Sequence, residues 1–116
     1  PTTCVERKIK LCSNKLTITD SFSGEKEHEV KTYFHWDRKI KVEPLEKNRW
    51  HVKFGKRQGV FHMQGNVSSV VKIYCGGESP LGWMCYVYGQ SRPAPTMEII
   101  TKLSFPNQMK YSLEWM

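Results

Sequence analysis

Residues 49–64 read RWHVKFGKRQGVFHMQ, and this stretch gives the clearest indication of the fold class. Trp50, Val52 and Phe54 alternate with polar residues, which is the two-residue period of a strand with one buried face. A glycine-containing loop at 55–59 then leads into a second apolar run. The stretch therefore predicts a β-hairpin with Trp50 and Phe54 in the core and its polar side chains facing solvent.

The same alternation recurs along the rest of the chain. Short apolar runs are separated by polar, glycine or proline breaks, and no stretch has the three-and-four-residue apolar spacing of a capped helix. Residues 92–95, with two prolines, are expected to form a stiff connection. The pattern predicts an all-β fold, an antiparallel β-sandwich of about eight to nine short strands.

The length of 116 residues predicts a single domain over residues 1–116, because two cores of half that size would each lie near the limit of stability. The chain begins Pro1-Thr2-Thr3, without an initiator methionine or a signal-peptide pattern, so it is interpreted as a processed or excised segment. No run approaches the ~20 apolar residues that cross a bilayer, and no membrane partner is expected.

The charge balance favours a polyanionic partner. The 18 lysines and arginines exceed the 11 acidic residues, and a net charge of +7 attracts nucleic acid and acidic polysaccharide alike. Arg49 and Lys53 are expected on the solvent face of the predicted hairpin, with Lys56 and Arg57 at its tip. The four are predicted to form one polyanion-binding edge. A merely solvated surface is the alternative.

Nucleic acid is the less favoured of the two polyanions. Domains that bind single strands place aromatic and basic side chains on the same face. In the 49–54 run, alternation places the aromatic residues on one face and the basic residues on the other. This run therefore does not favour a nucleic-acid partner.

The sequence offers no complete catalytic or metal-binding set. His51 and His62 lie on the two arms of the predicted hairpin and could face each other, but a third ligand cannot be named. The acidic residues show no spacing typical of a glycosidase pair, and there is no nucleophile elbow or phosphate loop. We therefore predict no catalytic residue, no metal and no cofactor in this chain.

The four cysteines do not decide between a reducing and an oxidising cellular compartment. Cys4 and Cys12 share one predicted strand, where eight steps place them about 26 Å apart, so they cannot bridge each other. Cys75 and Cys85 flank a glycine-rich turn. They either pair across a hairpin or remain thiols.

A series of landmarks runs through the whole chain in order. It consists of an arginine-containing strand, an Ile-x-Asp strand end, a glycine turn, a histidine, an aromatic-His pair, a tryptophan, a Tyr-Gly step, a proline connection and an apolar-Pro step. These are Arg7 to Ile9, Ile18-Thr19-Asp20, Gly24, His28, Phe34-His35, Gly82-Trp83, Tyr88-Gly89, Pro93 to Pro95 and Phe105-Pro106. The series resembles the C-terminal β-domain of the heparinase II/III family of bacterial polysaccharide lyases.

The resemblance implies a function for the chain as part of a larger lyase. Members of the family join a helical toroid to this β-sandwich and cleave uronate-containing polysaccharide by β-elimination, with catalytic residues drawn largely from the toroid. The chain would then be an accessory domain, with the upstream toroid and acidic polysaccharide as its partners. A periplasmic or secreted location is favoured on the same ground. A free-standing carbohydrate- or partner-binding module and a nucleic-acid-binding β-domain remain alternatives.

The resemblance does not carry a catalytic histidine onto His28 or His35, because the family motif for that residue lies upstream of the matching region. Asp20 is expected to act locally, accepting backbone N–H groups in the turn before Gly24.

Overall fold

The computed structural model describes residues 4–65, 69–79, 81–87 and 90–116, with the backbone alone for 83–87 and 90. Within these ranges it contains eleven strands. They are β1 (Cys4–Cys12), β2 (Lys15–Ser23), β3 (Glu27–His35), β4 (Ile40–Glu46), β5 (Arg49–Phe54), β6 (Arg57–Gln64), β7 (Ser69–Tyr74), β8 (Trp83–Val87), β9 (Gln90–Pro93), β10 (Thr96–Ser104) and β11 (Asn107–Trp115).

The predicted all-β antiparallel fold is confirmed, but the expected number of strands was too low. Arg92 and Pro93, which were expected to belong to a stiff connection over residues 92–95, are the end of β9, and β9 pairs with β8. Pro93 is the last residue of that strand, where its missing N–H costs little. The Tyr88-Gly89 landmark lies outside the described residues. The described part of the chain contains no helix of the length and apolar character needed to cross a bilayer.

Two sheets pack face to face to form the sandwich. The larger has the strand order β1-β2-β11-β6-β5-β4, the smaller has the order β3-β10-β7, and β8 and β9 form a separate hairpin. Phe34 of β3 makes edge contacts with Phe61 of β6 and Tyr111 of β11, at ring separations of 5.2 and 4.9 Å. The Tyr111 hydroxyl donates a hydrogen bond to Thr32 of β3.

The core lies between these sheets, and each strand that contributes to it does so with the side chains of its inner face. Its buried apolar side chains are Phe22, Trp50, Val52, Phe61, Met63, Met97, Ile99, Leu103, Met109 and Tyr111. Six strands facing three leave part of the larger sheet uncovered. Strand β1 lies in that part, and all nine of its residues are exposed.

The hairpin predicted from 49–64 is confirmed as β5 and β6. Trp50 is buried as expected, but Phe54 is 43% exposed and does not belong to the core. Phe54 is the last residue of β5, beyond the cover of the smaller sheet. The turn is also shorter than expected, because β6 already begins at Arg57.

Asp20 does not cap the turn before Gly24 as expected. Its carboxylate accepts two hydrogen bonds from Arg7, one from Nε at 2.7 Å and one from Nη2 at 2.8 Å. The two residues face each other across β1 and β2, and their alternation places them on the core side of the sheet. The Arg7 guanidinium also lies 5.6 Å from the centre of the Phe34 ring, so the pair joins the two sheets.

Candidate polyanion-binding site

The four cations predicted to form one edge are divided between two surfaces. Arg49 and Lys53 lie on the outer face of the larger sheet, where Lys53 is opposite Gln58. Arg57 is opposite Phe54, so its side chain is on the other face. Lys56 lies in the turn between the strands. The prediction of a single edge was wrong because Arg57 belongs to strand β6, where side chains alternate between the two faces, and not to the loop.

The side chain of Arg57 lines a groove of about 620 Å³ at one end of the sandwich. The groove is bounded by the turn after β3, the tip of the β5–β6 hairpin and the end of β11. Its lining residues are Asp37, Arg38, Lys39, Ile40, Phe54, Arg57 and Trp115. We call it the basic-aromatic groove. Three cations against one carboxylate give it a net positive charge, and two aromatic rings supply its apolar surface.

A tight turn presents the cations on one side of the groove. The Asp37 carbonyl accepts a hydrogen bond from the amide of Ile40 at 3.0 Å, and the Asp37 carboxylate accepts one from the amide of Lys39 at 2.9 Å. An Asp side chain that accepts from a following backbone amide stabilises a turn of this kind. The turn places Arg38 and Lys39 together on the lining of the groove.

The aromatic side of the groove depends on a glycine. Trp115 of β11 is opposite Gly59 of β6, and a Cβ atom at residue 59 would lie only 2.9 Å from Cε3 of the indole. Because glycine has no Cβ, the ring can lie against the β6 backbone. Hydrogen bonds hold the end of β11 in place, since the amide of Trp115 donates to the Asn14 carbonyl and the Asn14 side chain donates to the Trp115 carbonyl.

Sequence reasoning missed most of this groove. It named Arg57 but not Arg38, Lys39 or Trp115, because these residues come together only through the pairing of β11 with β6. A signal was present for Trp115, since it lies four residues after Tyr111 and so shares its face of the strand. The expected separation of cations from aromatic residues is also wrong at this end of the molecule, where both types line one groove.

The outer face of the larger sheet carries a second, smaller basic surface around Arg49, with a cavity of about 360 Å³. Its polar lining includes Lys15, Arg49, His62 and Glu114. Burial lowers the pKa of His62, and the nearby charges of Arg49 and Lys15 lower it further. His62 is therefore neutral at neutral pH and adds no positive charge to this surface.

The two hairpin histidines do not face each other. His51 is opposite Val60, and His62 is opposite Arg49. The ring of His51 instead forms a hydrogen bond with Gln58 at 3.0 Å. Among the described residues, no three His, Cys, Asp or Glu side chains converge as a metal site would require. Cys4, Cys12 and Cys75 are exposed free thiols, so the alternative of a bridge from Cys75 is not realised.

A polar cluster on the outer face of the smaller sheet contains two tyrosines and a buried carboxylate. Glu98 is 8% exposed, and it accepts a hydrogen bond from Tyr74 at 3.5 Å. Tyr33 lies opposite Glu98 across β3 and β10, and its interaction with this carboxylate raises the pKa of Tyr33. A base for β-elimination must lose its proton readily. Tyr33 keeps its proton at neutral pH, so the cluster is suited to donating hydrogen bonds and not to removing a proton.

The fold and the groove define the class of the protein: an antiparallel β-sandwich that presents cations and aromatic rings together in one open groove. A scan against protein-family models and a search of curated proteins both find no match to the chain.

Proposed function

We propose that the chain binds acidic polysaccharide in the basic-aromatic groove, and that it does so as the accessory β-sandwich of a heparinase II/III-like polysaccharide lyase. The observation that carries the binding proposal is the convergence of Arg38, Lys39 and Arg57 on a groove whose surface also includes Phe54 and Trp115. These residues come from three separate parts of the chain. Only the folded structure brings them together.

The chemistry of the groove fits a uronate-containing chain. Arg57 and Arg38 offer planar guanidinium groups, which bind carboxylate or sulfate through paired hydrogen bonds. Phe54 is 43% exposed and Trp115 is half-buried, so both rings offer apolar surface to the C–H face of a sugar. The volume of the groove falls within the ~300–1,000 Å³ typical of small-ligand sites, which suits a short segment of polysaccharide.

The lyase assignment rests on the ordered landmarks in the sequence. Elimination needs a base for the proton next to the carboxylate, an acid for the leaving oxygen and a group that neutralises the carboxylate. Among the described residues the groove supplies the third of these, through its cations, but no base can be named. The proposal therefore assigns proton transfer to an upstream helical domain and substrate binding to this one.

The catalytic part of the proposal can be tested directly. The full-length protein should generate unsaturated uronate ends from acidic polysaccharide, detected by their ultraviolet absorbance, whereas the 116-residue chain should not. Product formation by the pure chain, abolished by Tyr33→Phe, would show that the β-sandwich carries its own base. A gene that encodes no helical domain upstream would favour the free-standing binding module.

Nucleic acid is a second candidate, because cations and aromatic rings line the same groove. Single-stranded nucleic acid is bound by this combination, with bases stacked on the rings and phosphates paired with the cations. The groove holds one carboxylate, Asp37, which would repel either polyanion equally. Discrimination between the two requires a direct comparison of ligands.

Binding should be measured with heparin, an unsulfated polyuronate, a neutral glucan and single-stranded DNA at two salt concentrations. The groove variant carries Lys39→Glu and Arg57→Glu, and the matched control carries Arg49→Glu and Lys53→Glu on the outer face. Both variants change the net charge equally. We expect the groove variant to weaken polysaccharide binding at least about tenfold and the control only a few-fold, since exposed cations contribute little individually.

Two results would contradict the proposal. Equal losses in the two variants would show that binding reflects net charge and not the groove. Tighter binding of DNA than of either acidic polysaccharide, at both salt concentrations, would favour the nucleic-acid function. The neutral glucan should not bind, because it offers no group for the guanidinium pairs.

A further inference from the structure

The two edges of the larger sheet differ in how they are protected. The edge strand β4 contains Pro44 and a register irregularity between Pro44 and Glu46. Proline and bulges on an edge prevent further strand pairing. The other edge strand, β1, pairs with β2 in unbroken register over nine residues and contains no proline. Its free edge can accept another strand.

The backbone groups on the free edge belong to the odd-numbered residues. A two-residue turn at 13–14 joins β1 to β2, so Cys12 and Lys15, which flank the turn, form a hydrogen-bonded pair. Hydrogen-bonded pairs then recur at every second residue of β1. The amide and carbonyl groups of residues 5, 7, 9 and 11 point away from β2 and are available for pairing.

The core side of β1 is apolar and uncovered. Val5, Ile9 and Leu11 are 61%, 64% and 76% exposed. They share the face of Phe22 and Ile18, their neighbours on β2. The face continues that of the core. Arg7 on this face lies against Phe34 of the smaller sheet, whereas the other three side chains stay exposed. Three large exposed apolar side chains on one face of an edge strand, with only Arg7 between them, are typical of an interaction surface.

The sequence of β1 complements itself when the strand is reversed. In an antiparallel pair with Lys8 at the centre, Glu6 lies opposite the partner's Lys10 and Val5 lies opposite the partner's Leu11. Cys4 lies opposite the partner's Cys12, and all nine positions are paired. A shift of two residues in either direction leaves the ends unpaired and removes the cysteine match. Opposite charges and apolar residues directly across a ladder both stabilise it.

We propose that two copies of this chain associate through β1 in this register, joining their larger sheets into one continuous sheet of twelve strands. The association is isologous, because a two-fold axis passes between the two Lys8 residues. Val5 and Leu11 of opposite copies then form an apolar contact near each end of the junction, and between them Ile9 lies opposite the other copy's Arg7, whose guanidinium already binds Asp20. Two ion pairs between Glu6 and Lys10 hold the register, and the repulsion between the two Lys8 side chains opposes it.

Disulfide trapping tests the register. Cys75→Ser and Cys85→Ser leave Cys4 and Cys12 as the only thiols, and these two cannot bridge within one strand because they are about 26 Å apart. Diamide, an azo oxidant that takes up two electrons and two protons, should give a covalent dimer. Peptide mapping should show Cys4 joined to Cys12. Bonds from Cys4 to Cys4 or from Cys12 to Cys12, or a chain that stays monomeric, would overturn the proposal.

Charge exchange tests the ion pairs without relying on the cysteines. Glu6→Lys and Lys10→Glu should each weaken the dimer about tenfold in sedimentation equilibrium, because each creates two like-charge contacts. The double variant restores opposite charges and should return to within about threefold of the original affinity. Lys8→Thr should tighten the dimer. All these side chains are exposed, so the fold is not at risk. Failure of the double variant to recover would overturn the register.

Discussion

Gly59 on β6 lies directly beneath the indole of Trp115 on β11, with room for the ring only because residue 59 has no side chain. A Cβ atom there would meet both Cε3 of the indole and the Glu114 carbonyl oxygen at 2.9 Å. The second of these is backbone and cannot rotate away. The absence of a side chain at Gly59 therefore allows the Trp115 ring to pack against the backbone and to line the proposed binding groove.

Gly59→Ala should displace Trp115 and impair binding. We expect a loss of stability of about 1–3 kcal/mol, typical of overpacking, together with weaker heparin binding and a change in Trp115 fluorescence. A Trp115→Phe background identifies that signal among the four tryptophans. Gly77→Ala is the matched control, since its φ of +82° strains the backbone, nothing lies within 4 Å of the new Cβ, and residue 77 does not line the groove. It should lose stability without losing affinity. An unchanged affinity in Gly59→Ala would show that Trp115 is not part of the binding surface.

Replacement of Arg7 in the Arg7–Asp20 pair should lower the stability of the folded protein. Asp20 is 3% exposed, so removal of Arg7 leaves a buried carboxylate without its two donors. Arg7→Met should therefore lower the free energy of unfolding by about 1–3 kcal/mol, a range that allows for the solvent around the half-exposed guanidinium. Arg7→Met with Asp20→Leu should recover part of the loss. Urea unfolding of the single and double variants measures this. Additive losses in the double variant would contradict a direct coupling.

The alternation of apolar and polar residues was sufficient to predict the β5–β6 hairpin and the all-β fold class. Alternation at 49–54 predicted that Trp50 would be buried and Lys53 exposed, and both predictions are confirmed. The same rule does not reveal where the opposing sheet ends. Phe54 continues the buried pattern, yet it is exposed because the smaller sheet, with three strands against six, does not reach it.

The groove could not be predicted for a related reason. Arg57 was named from the charge of the hairpin tip, but its partners Lys39 and Trp115 depend on strand order, and alternation carries no information about that order. The partner of Asp20 also could not be predicted from the local pattern. The turn before Gly24 offered it a local partner, whereas the antiparallel register with β1 supplied a stronger one, the guanidinium of Arg7.

His62 should make the protein less stable in mild acid. Burial and the charges of Arg49 and Lys15 lower the pKa of His62 in the folded state below its ordinary value near 6.5. Between those two pKa values the unfolded chain binds more protons than the folded chain, so stability falls as the pH falls through this window. His62→Gln removes that contribution. The urea midpoint of the variant, relative to that of the original protein, should therefore be higher at pH 5 than at pH 7.5. A constant difference would contradict the prediction.

Tyr111 should affect stability at the opposite end of the pH scale. Burial raises the pKa of Tyr111 to about 12, from its usual value near 10, so the folded protein keeps this proton when the unfolded chain has lost it. The contribution is fully present below pH 10 and is lost as the pH rises through 12. Tyr111→Phe should cost about 1 kcal/mol at pH 7, because its hydroxyl no longer donates to Thr32. The variant has no proton to lose at this position, so its disadvantage should shrink above pH 10. Urea unfolding at pH 7, 9 and 10.5 measures the change, and a disadvantage that grows with pH would contradict it.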